Sequence, residues 1–337
     1  MNNPTIELTI LEKAVEAFQL QTDMDIKLNA SLELNKNTED AVVTIGGVTF
    51  AVNVKTSVTK QNLFAVLHQL SRGDNQTPVL LVTRYINPNL MDEMREAGVL
   101  CIDTAGNAYI RRDPIYIFVK GNKVVKEMPD LKTGRAFQYA GLKVIFALLQ
   151  NPDLIKQSYR DIAEQTGVAL GSLVDIVKDL TQQGFVLTIG KDRSLVEKER
   201  LLRRWVEHYP KLKQKHLLGS FTTDMNDWWK TIDIEQFGGV WGSEIAAELY
   251  TEYLQAKDGV VFIPQEMMAK FIKTARLKKN SAKEGIQIEL VEPFWNQNSL
   301  QAKKELAPAL LVYADLINSK DARNLETAER LYEQYLD

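Results

Sequence analysis

Residues 161–176 read DIAEQTGVALGSLVDI, and their spacing predicts two short helices meeting at a tight corner. Such a pair needs a small residue where the helices cross and a glycine four positions later, where φ turns positive. It also needs two apolar residues on the second helix that hold it to the first. Ala163, Gly167, Leu173 and Ile176 supply the four positions, and Ile162 and Val168 flank them as core residues. Downstream, FVLTIGKDRSLVEK (185–198) reads as two short strands joined at Gly190-Lys191-Asp192-Arg193. Upstream, FQYAGLKVIFALLQ (137–150) reads as a helix ended by Asn151-Pro152. Together these features predict a winged helix-turn-helix over residues 137–215.

Modules of that form bind DNA or other proteins, and the residues favour DNA. Ser172, Asp175, Lys178 and Asp179 are the exposed candidates on the second helix, and no Arg, Asn or Gln stands at its start to grip a base edge with two hydrogen bonds. Contacts to phosphates from Arg160, Lys191 and Arg193, with readout of DNA shape by the wing, are therefore expected to supply much of the affinity. Ser172 and Lys178 complete the expected DNA-contact set. Arg200, Arg203 and Arg204 lie a turn apart on the next helix, where a phosphate-facing row and a solvated face are equally consistent with the spacing. From Phe137 to Lys215 there are 13 Lys and Arg against 9 Asp and Glu, a local charge of +4. The whole chain stands at −3, so the remainder sums to −7. A protein that coats nucleic acid over its whole surface is excluded by that balance.

Ahead of this module, residues 1–125 open with a helical pattern, Ile6, Leu8, Leu11, Val15 and Phe18. Alternation follows, with Ile26, Leu28, Ala30, Leu32 and Leu34 on one side and two further strands around Gly46-Gly47. A helix (KQNLFAVLHQLSR), an apolar strand (PVLLVT), a helix opened by Pro88 and a strand VLCI come next. The order α-β-β-β-α-β is that of a restriction-endonuclease-like core. A metal-dependent nuclease on such a core sets a carboxylate near the start of the second strand, then an acidic residue, one spacer and a lysine. Asp40 can supply the first and Lys55 the last, but Asn53 stands where the second carboxylate belongs. A neutral amide attracts a hard cation weakly, so the expectation is a degenerate nuclease kept for binding. An active enzyme using Asp40 and Lys55, with Glu33 or Glu39 as substitute ligands, is the competing reading. The stretch DTAGNAYI reads as turn chemistry between paired strands, or as the border of the old cleft.

The remainder, residues 220–337, is expected to form a mixed α/β domain with four of the five tryptophans, Trp228, Trp229, Trp241 and Trp295. FGGVWGSE in it reads as a packed tryptophan corner or, less specifically, an anion-holding turn. A single cysteine, Cys101, excludes an internal disulfide, and three histidines, His68, His208 and His216, give no zinc spacing. No cofactor and no metal site are expected. The start MNNPTIELTILEK has no basic region ahead of an apolar block, and no segment approaches eighteen uninterrupted apolar residues. A cytoplasmic microbial protein without a membrane span is expected, α+β and multidomain.

The stretches LLVTRYINPNLMDEMREAGVLCIDTAGNAYI and LLVYADLINSKDARNLETAERLYEQYL, with the central module, resemble the bacterial AbiEi-type transcriptional regulators of type IV toxin-antitoxin systems. The resemblance implies a repressor that binds double-stranded DNA at its own promoter and counteracts a nucleotidyltransferase-like toxin in phage defence, and the chain is expected to act as a homodimer. It carries over no catalytic residue, and DNA contacts only at Ser172, Lys178, Lys191 and Arg193. The endonuclease-like domain ahead of the module departs from the family pattern.

Overall fold

The two glycines at 46 and 47 make the first hairpin. Both have positive φ, +51° and +84°, as a two-residue type I′ turn requires, and Ile45 faces Val48 across it. The computed structural model describes residues 6–29, 41–60, 62–71, 77–123, 134–190, 192–279, 285–295, 305–319 and 321–336. The chain divides into two compact units, Met1–Thr133 and Gly134–Asp337.

In the first unit the elements run α1 (Ile6–Thr22), β1 (Ile26–Asn29), β2 (Ala41–Ile45), β3 (Val48–Lys55), α2 (Leu63–Ser71), β4 (Val79–Thr83), α3 (Pro88–Glu96), β5 (Cys101–Asp103), β6 (Ala108–Arg112) and β7 (Ile115–Val119). The seven strands form one sheet in sequence order. β3, β4 and β5 are parallel, linked through α2 and α3, and the other pairings are antiparallel. Strand periodicity sorts the side chains onto two faces. Phe50, Val52, Leu80, Val82 and Ile102 pack with Ile10, Leu11, Ala14 and Phe18 of α1. Leu81, Cys101 and Tyr109 pack with Leu63 and Val66 of α2 and with Leu90, Met91 and Met94 of α3. Each large apolar side chain so buried stabilises the unit by about 1.5–3 kcal/mol. Asn87 caps α3 by accepting from the Leu90 amide at 3.0 Å, with Pro88 in the first turn, as the sequence suggests.

The second unit runs α4 (Tyr139–Gln150), α5 (Tyr159–Thr166), α6 (Leu170–Gln182), β8 (Val186–Ile189), β9 (Asp192–Leu195), α7 (Lys198–His216), β10 (Leu217–Thr223), β11 (Val240–Gly242), α8 (Ser243–Thr251), β12 (Gly259–Phe262), α9 (Met268–Thr274), β13 (Lys278–Lys279), β14 (Ile286–Val291), α10 (Ala309–Ile317) and α11 (Ala322–Tyr335). β8 and β9 form a hairpin, and a five-stranded sheet has the order β11-β12-β14-β10-β13. Residues 137–215 and 220–337 share this unit because α7 serves both. Its Trp205 Nε1 donates to Leu142 O of α4 at 2.8 Å. Its last turn holds Lys213, which pairs with Asp315 of α10 and Glu289 of β14, and β10 follows without a linker. α9 ends at Thr274. Two residues later Arg276 has φ +51°, left-handed backbone that no helix continues through.

Candidate functional site

The corner between α5 and α6 is built as its residues require. Ser158 caps α5 by accepting from the Asp161 amide at 3.2 Å. At the other end Gly167 sits at φ 61°, ψ 31°, and its N–H closes the last turn onto Ala163 O and Glu164 O. Left-handed backbone here strains any residue with a Cβ. Of the positions expected in the core, Ile162, Val168, Leu173 and Ile176 are buried and Ala163 is half-buried; Val177 and Leu180 are buried with them.

The residues singled out from sequence are placed as follows. Arg160 is exposed on the first turn of α5 and Lys178 is exposed on α6. Neither makes an ion pair among the described residues. Ser172 is half-buried on the first turn of α6. Lys191 lies outside the described residues. Arg193 is not a free arm: its guanidinium lies 4.1 Å over the Tyr159 ring and donates to Gln157 O, tying β9 to the start of α5. Asp175 pairs with Arg135, and Asp179 accepts from the Ala136 amide at 2.8 Å, so the acidic positions of α6 anchor the chain ahead of α4. The run on α7 is also built in. Arg200 donates to Gln183 O at 3.1 Å and lies over Phe185; the buried Arg204 donates to Gln183 Oε1 at 2.8 Å and lies over Phe137. Arg203 reaches Glu199 at 3.9 Å.

Sequence reading missed a neighbouring cluster. Tyr139 and Lys143, one turn apart on α4, meet Lys215 and His216 at the end of α7. The Tyr139 hydroxyl and His216 Nε2 share a hydrogen bond of 2.8 Å with their rings stacked, and Lys215 Nζ lies 4.5 Å over the Tyr139 ring. Burial depresses the Lys143 ammonium. Burial also depresses His216, with Lys143 and Lys215 adding to the effect and Glu292 opposing it. The i, i+4 spacing of Tyr139 and Lys143 was the available signal; their meeting with α7 was not.

In the first unit Asn53 and Lys55 lie on β3 beneath α2, 7% and 8% exposed. Lys55 Nζ donates to Gln69 Oε1 of α2 at 2.6 Å. Lys55, Thr83 and Asp103 stand side by side at the carboxyl ends of the parallel strands, where open α/β sheets hold ligands. Asp103 is fully buried and accepts from the amides of Ile86, Ala105 and Asn107 and from Asn107 Nδ2, at 2.8–2.9 Å. Burial raises its carboxyl above the usual range against those hydrogen bonds. DTAGN is thus a turn organised by its aspartate, with Gly106 at φ +80° against Ala17. Asp40, Glu33 and Glu39 lie outside the described residues. Among the described residues no three His, Cys, Asp or Glu converge to hold a metal ion. Burial pushes the Cys101 thiol up to about 12, which suits a core residue.

FGGVWGSE closes a tryptophan corner: Trp228 and Trp229 stack edge-on against Trp241 at 5.7 and 6.1 Å, with Phe271 beside them. No helix among the described residues is long and apolar enough to cross a membrane.

These features define an α+β protein whose second unit joins a three-helix module with a β-hairpin to a mixed sheet through one shared helix. Residues 194–337 match the family model described as transcriptional regulator, AbiEi antitoxin, type IV TA system. The match begins within β9, so it takes in α7 and the five-stranded sheet and leaves α4, α5, α6 and the first unit outside it. No curated protein and no solved structure matches the chain.

Proposed function

We propose that α4 to β9 form a winged helix-turn-helix that binds double-stranded DNA, and that the chain is an autorepressing antitoxin of a type IV toxin-antitoxin system. The observation that carries the reading is the left-handed corner at Gly167 between two helices that share one core, followed by the β8–β9 hairpin. In this reading α6 enters the major groove, with Ser172 at the base edges. Arg160, Lys178 and Lys191 meet phosphates, and Arg193 holds the wing in place. Because α6 offers few base-reading groups, specificity rests on DNA shape more than on direct readout. The matched family description supports regulation and antitoxicity; in this reading residues 194–337 face the nucleotidyltransferase-like toxin that the sequence resemblance implies. The chain acts as a cytoplasmic homodimer, and the first unit is a degenerate restriction-endonuclease-like scaffold.

A second reading has its own observation. Leu170 and Val174 of α6 and Leu187 and Ile189 of β8 are exposed by 41–70%, which favours a protein-docking face over a DNA-reading one. The test is titration of a fluorescent duplex carrying the DNA upstream of the gene against a scrambled duplex, with and without Mg²⁺. Sequence-dependent binding that leaves the duplex intact supports the repressor. Mg²⁺-dependent cleavage, lost in Lys55→Ala, would replace it with a nuclease using Asp40 and Lys55; no binding would leave the docking face.

A further inference from the structure

The chemistry that a DNA-binding face needs is sparse on α6 and concentrated beside it. Asp175 and Asp179 of α6 are committed to residues 135 and 136, and Arg193, Arg200 and Arg204 are spent on carbonyls and aromatic rings. The seam between α4 and α7 is arranged differently. Lys143 is half-buried and makes no ion pair or hydrogen bond among the described residues, while partly losing its water. Its Nζ stands 3.6 Å from where a Cβ on Gly167 would lie, so the cation rests against the corner that leads into α6. Lys215 lies over the other end of the seam, on the ring of Tyr139, which is itself 38% exposed. Lys211, one turn earlier on α7, is exposed. Glu292 is the acidic group that acts on His216, and it does not pair with either lysine among the described residues. A desolvated, unpaired ammonium is costly unless an anion completes its shell, and a second cation on an aromatic face beside it raises the local potential further.

We propose that Tyr139, Lys143 and Lys215 form a phosphate-contact site for the backbone of double-stranded DNA, adjoining the Gly167 corner and separate from α6 and the wing. The site rests on the DNA-binding reading and extends it: α6 supplies orientation, and the α4–α7 seam supplies sequence-independent affinity. Lys143 and Lys215 each take one phosphate as point charges, and the Tyr139 hydroxyl, held by His216, keeps the ring in register beneath Lys215.

The experiment uses the full chain and two duplexes, upstream and scrambled, titrated across a salt series. Lys143→Gln combined with Lys215→Gln should weaken both duplexes by the same factor and reduce the slope of log affinity against log salt by about 2, close to one per lost contact. Lys143→Arg with Lys215→Arg should restore the slope. Melting temperatures of the variants identify any that fail to fold, and a single Lys143→Gln variant, expected to lower the slope by about 1, then replaces the double one. An unchanged slope in a folded variant, with Arg160→Ala and Lys178→Ala still lowering it, overturns the site and leaves the DNA-binding reading standing. Wild-type protein that binds neither duplex overturns both.

Discussion

Lys213 Nζ lies 2.8 Å from Asp315 Oδ1 and 2.7 Å from Glu289 Oε2, so one cation at the end of α7 holds both α10 and β14. Coulombic attraction and hydrogen bonds from the two carboxylates raise the Lys213 ammonium despite its burial. Asp315 itself is pushed upward because burial outweighs the lysine. Removing one partner of such a pair leaves an uncompensated charge, which costs about 3–5 kcal/mol. Lys213→Ala should therefore lower the denaturant midpoint of the second unit by a corresponding amount. Lys213→Met with Asp315→Leu, which removes both charges and keeps the volume, should recover most of the loss. A single substitution without effect would mean that α7 is held by its apolar contacts alone.

Acid should loosen the same unit through its histidines. Burial holds His208 below the ordinary imidazole value, against a hydrogen bond in which Nδ1 donates to Arg204 O at 2.8 Å; His216 is depressed as well. A depressed folded value means that the unfolded chain takes up protons first as pH falls below the unfolded value, about 6.5. The contribution is complete above that pH and is lost as pH falls through the folded value. Each histidine can steepen the decline by at most about 1.4 kcal/mol per pH unit in that window. Unfolding free energies measured at pH 7.5, 6.5 and 5.5 should fall in that order. His208→Gln should flatten the profile while lowering its plateau, and an identical profile would remove His208 from the account.

Gly167→Val places a β-branched side chain at φ 61°, ψ 31°. The left-handed penalty of roughly 1–2 kcal/mol should appear as a lower melting temperature. Gly167→Asn should lose less, since asparagine tolerates that region. Two variants that melt like wild type would show that the corner adjusts elsewhere.

These residues also show how far the sequence could be read. Gly167 was legible because a positive-φ corner follows from local spacing, and so were Gly46-Gly47, the opening of α3 by Pro88 and the order of elements through β5. The fates of Arg193, Arg200 and Arg204 were not. Periodicity places a cation on a surface but cannot say which ring or carbonyl from another element will meet it. Lys143 and Lys215 escaped notice for the same reason, being 72 positions apart. The sharing of α7 was hidden likewise, because its partners Leu142 and Asp315 lie on either side of it in sequence.

Arg193 separates a structural role from a DNA contact. With its guanidinium on Tyr159 and Gln157 O, Arg193→Ala should destabilise the unit by about 1–2 kcal/mol, combining a cation–π contact and a charge-assisted hydrogen bond. It should change the salt slope of DNA binding less than Arg160→Ala, which should lower it by about 1. Stability from chemical unfolding and slopes from duplex titration read the two effects independently. A slope loss for Arg193→Ala equal to that for Arg160→Ala, at unchanged stability, would return Arg193 to the phosphate-contact set.

Restoring the missing carboxylate tests the degenerate-nuclease reading directly. Asn53 is 7% exposed on the face of β3 covered by α2, two residues from a lysine that Gln69 already holds at 2.6 Å. Asn53→Asp adds a charge where little water reaches it. Lys55 on the same face can offset only part of the desolvation, so the variant should lose about 1–3 kcal/mol of stability at neutral pH. Its unfolded carboxyl titrates near 3.9, and burial should raise the folded value, so the deficit should shrink as pH falls from 7 toward 5. Cleavage should not appear with Mg²⁺, because α2 covers the pair. Incubating the variant with supercoiled and linear DNA across a Mg²⁺ series checks this. Nicking that appears with Asn53→Asp and disappears when Lys55→Ala is added would show that one substitution separates this unit from a working nuclease.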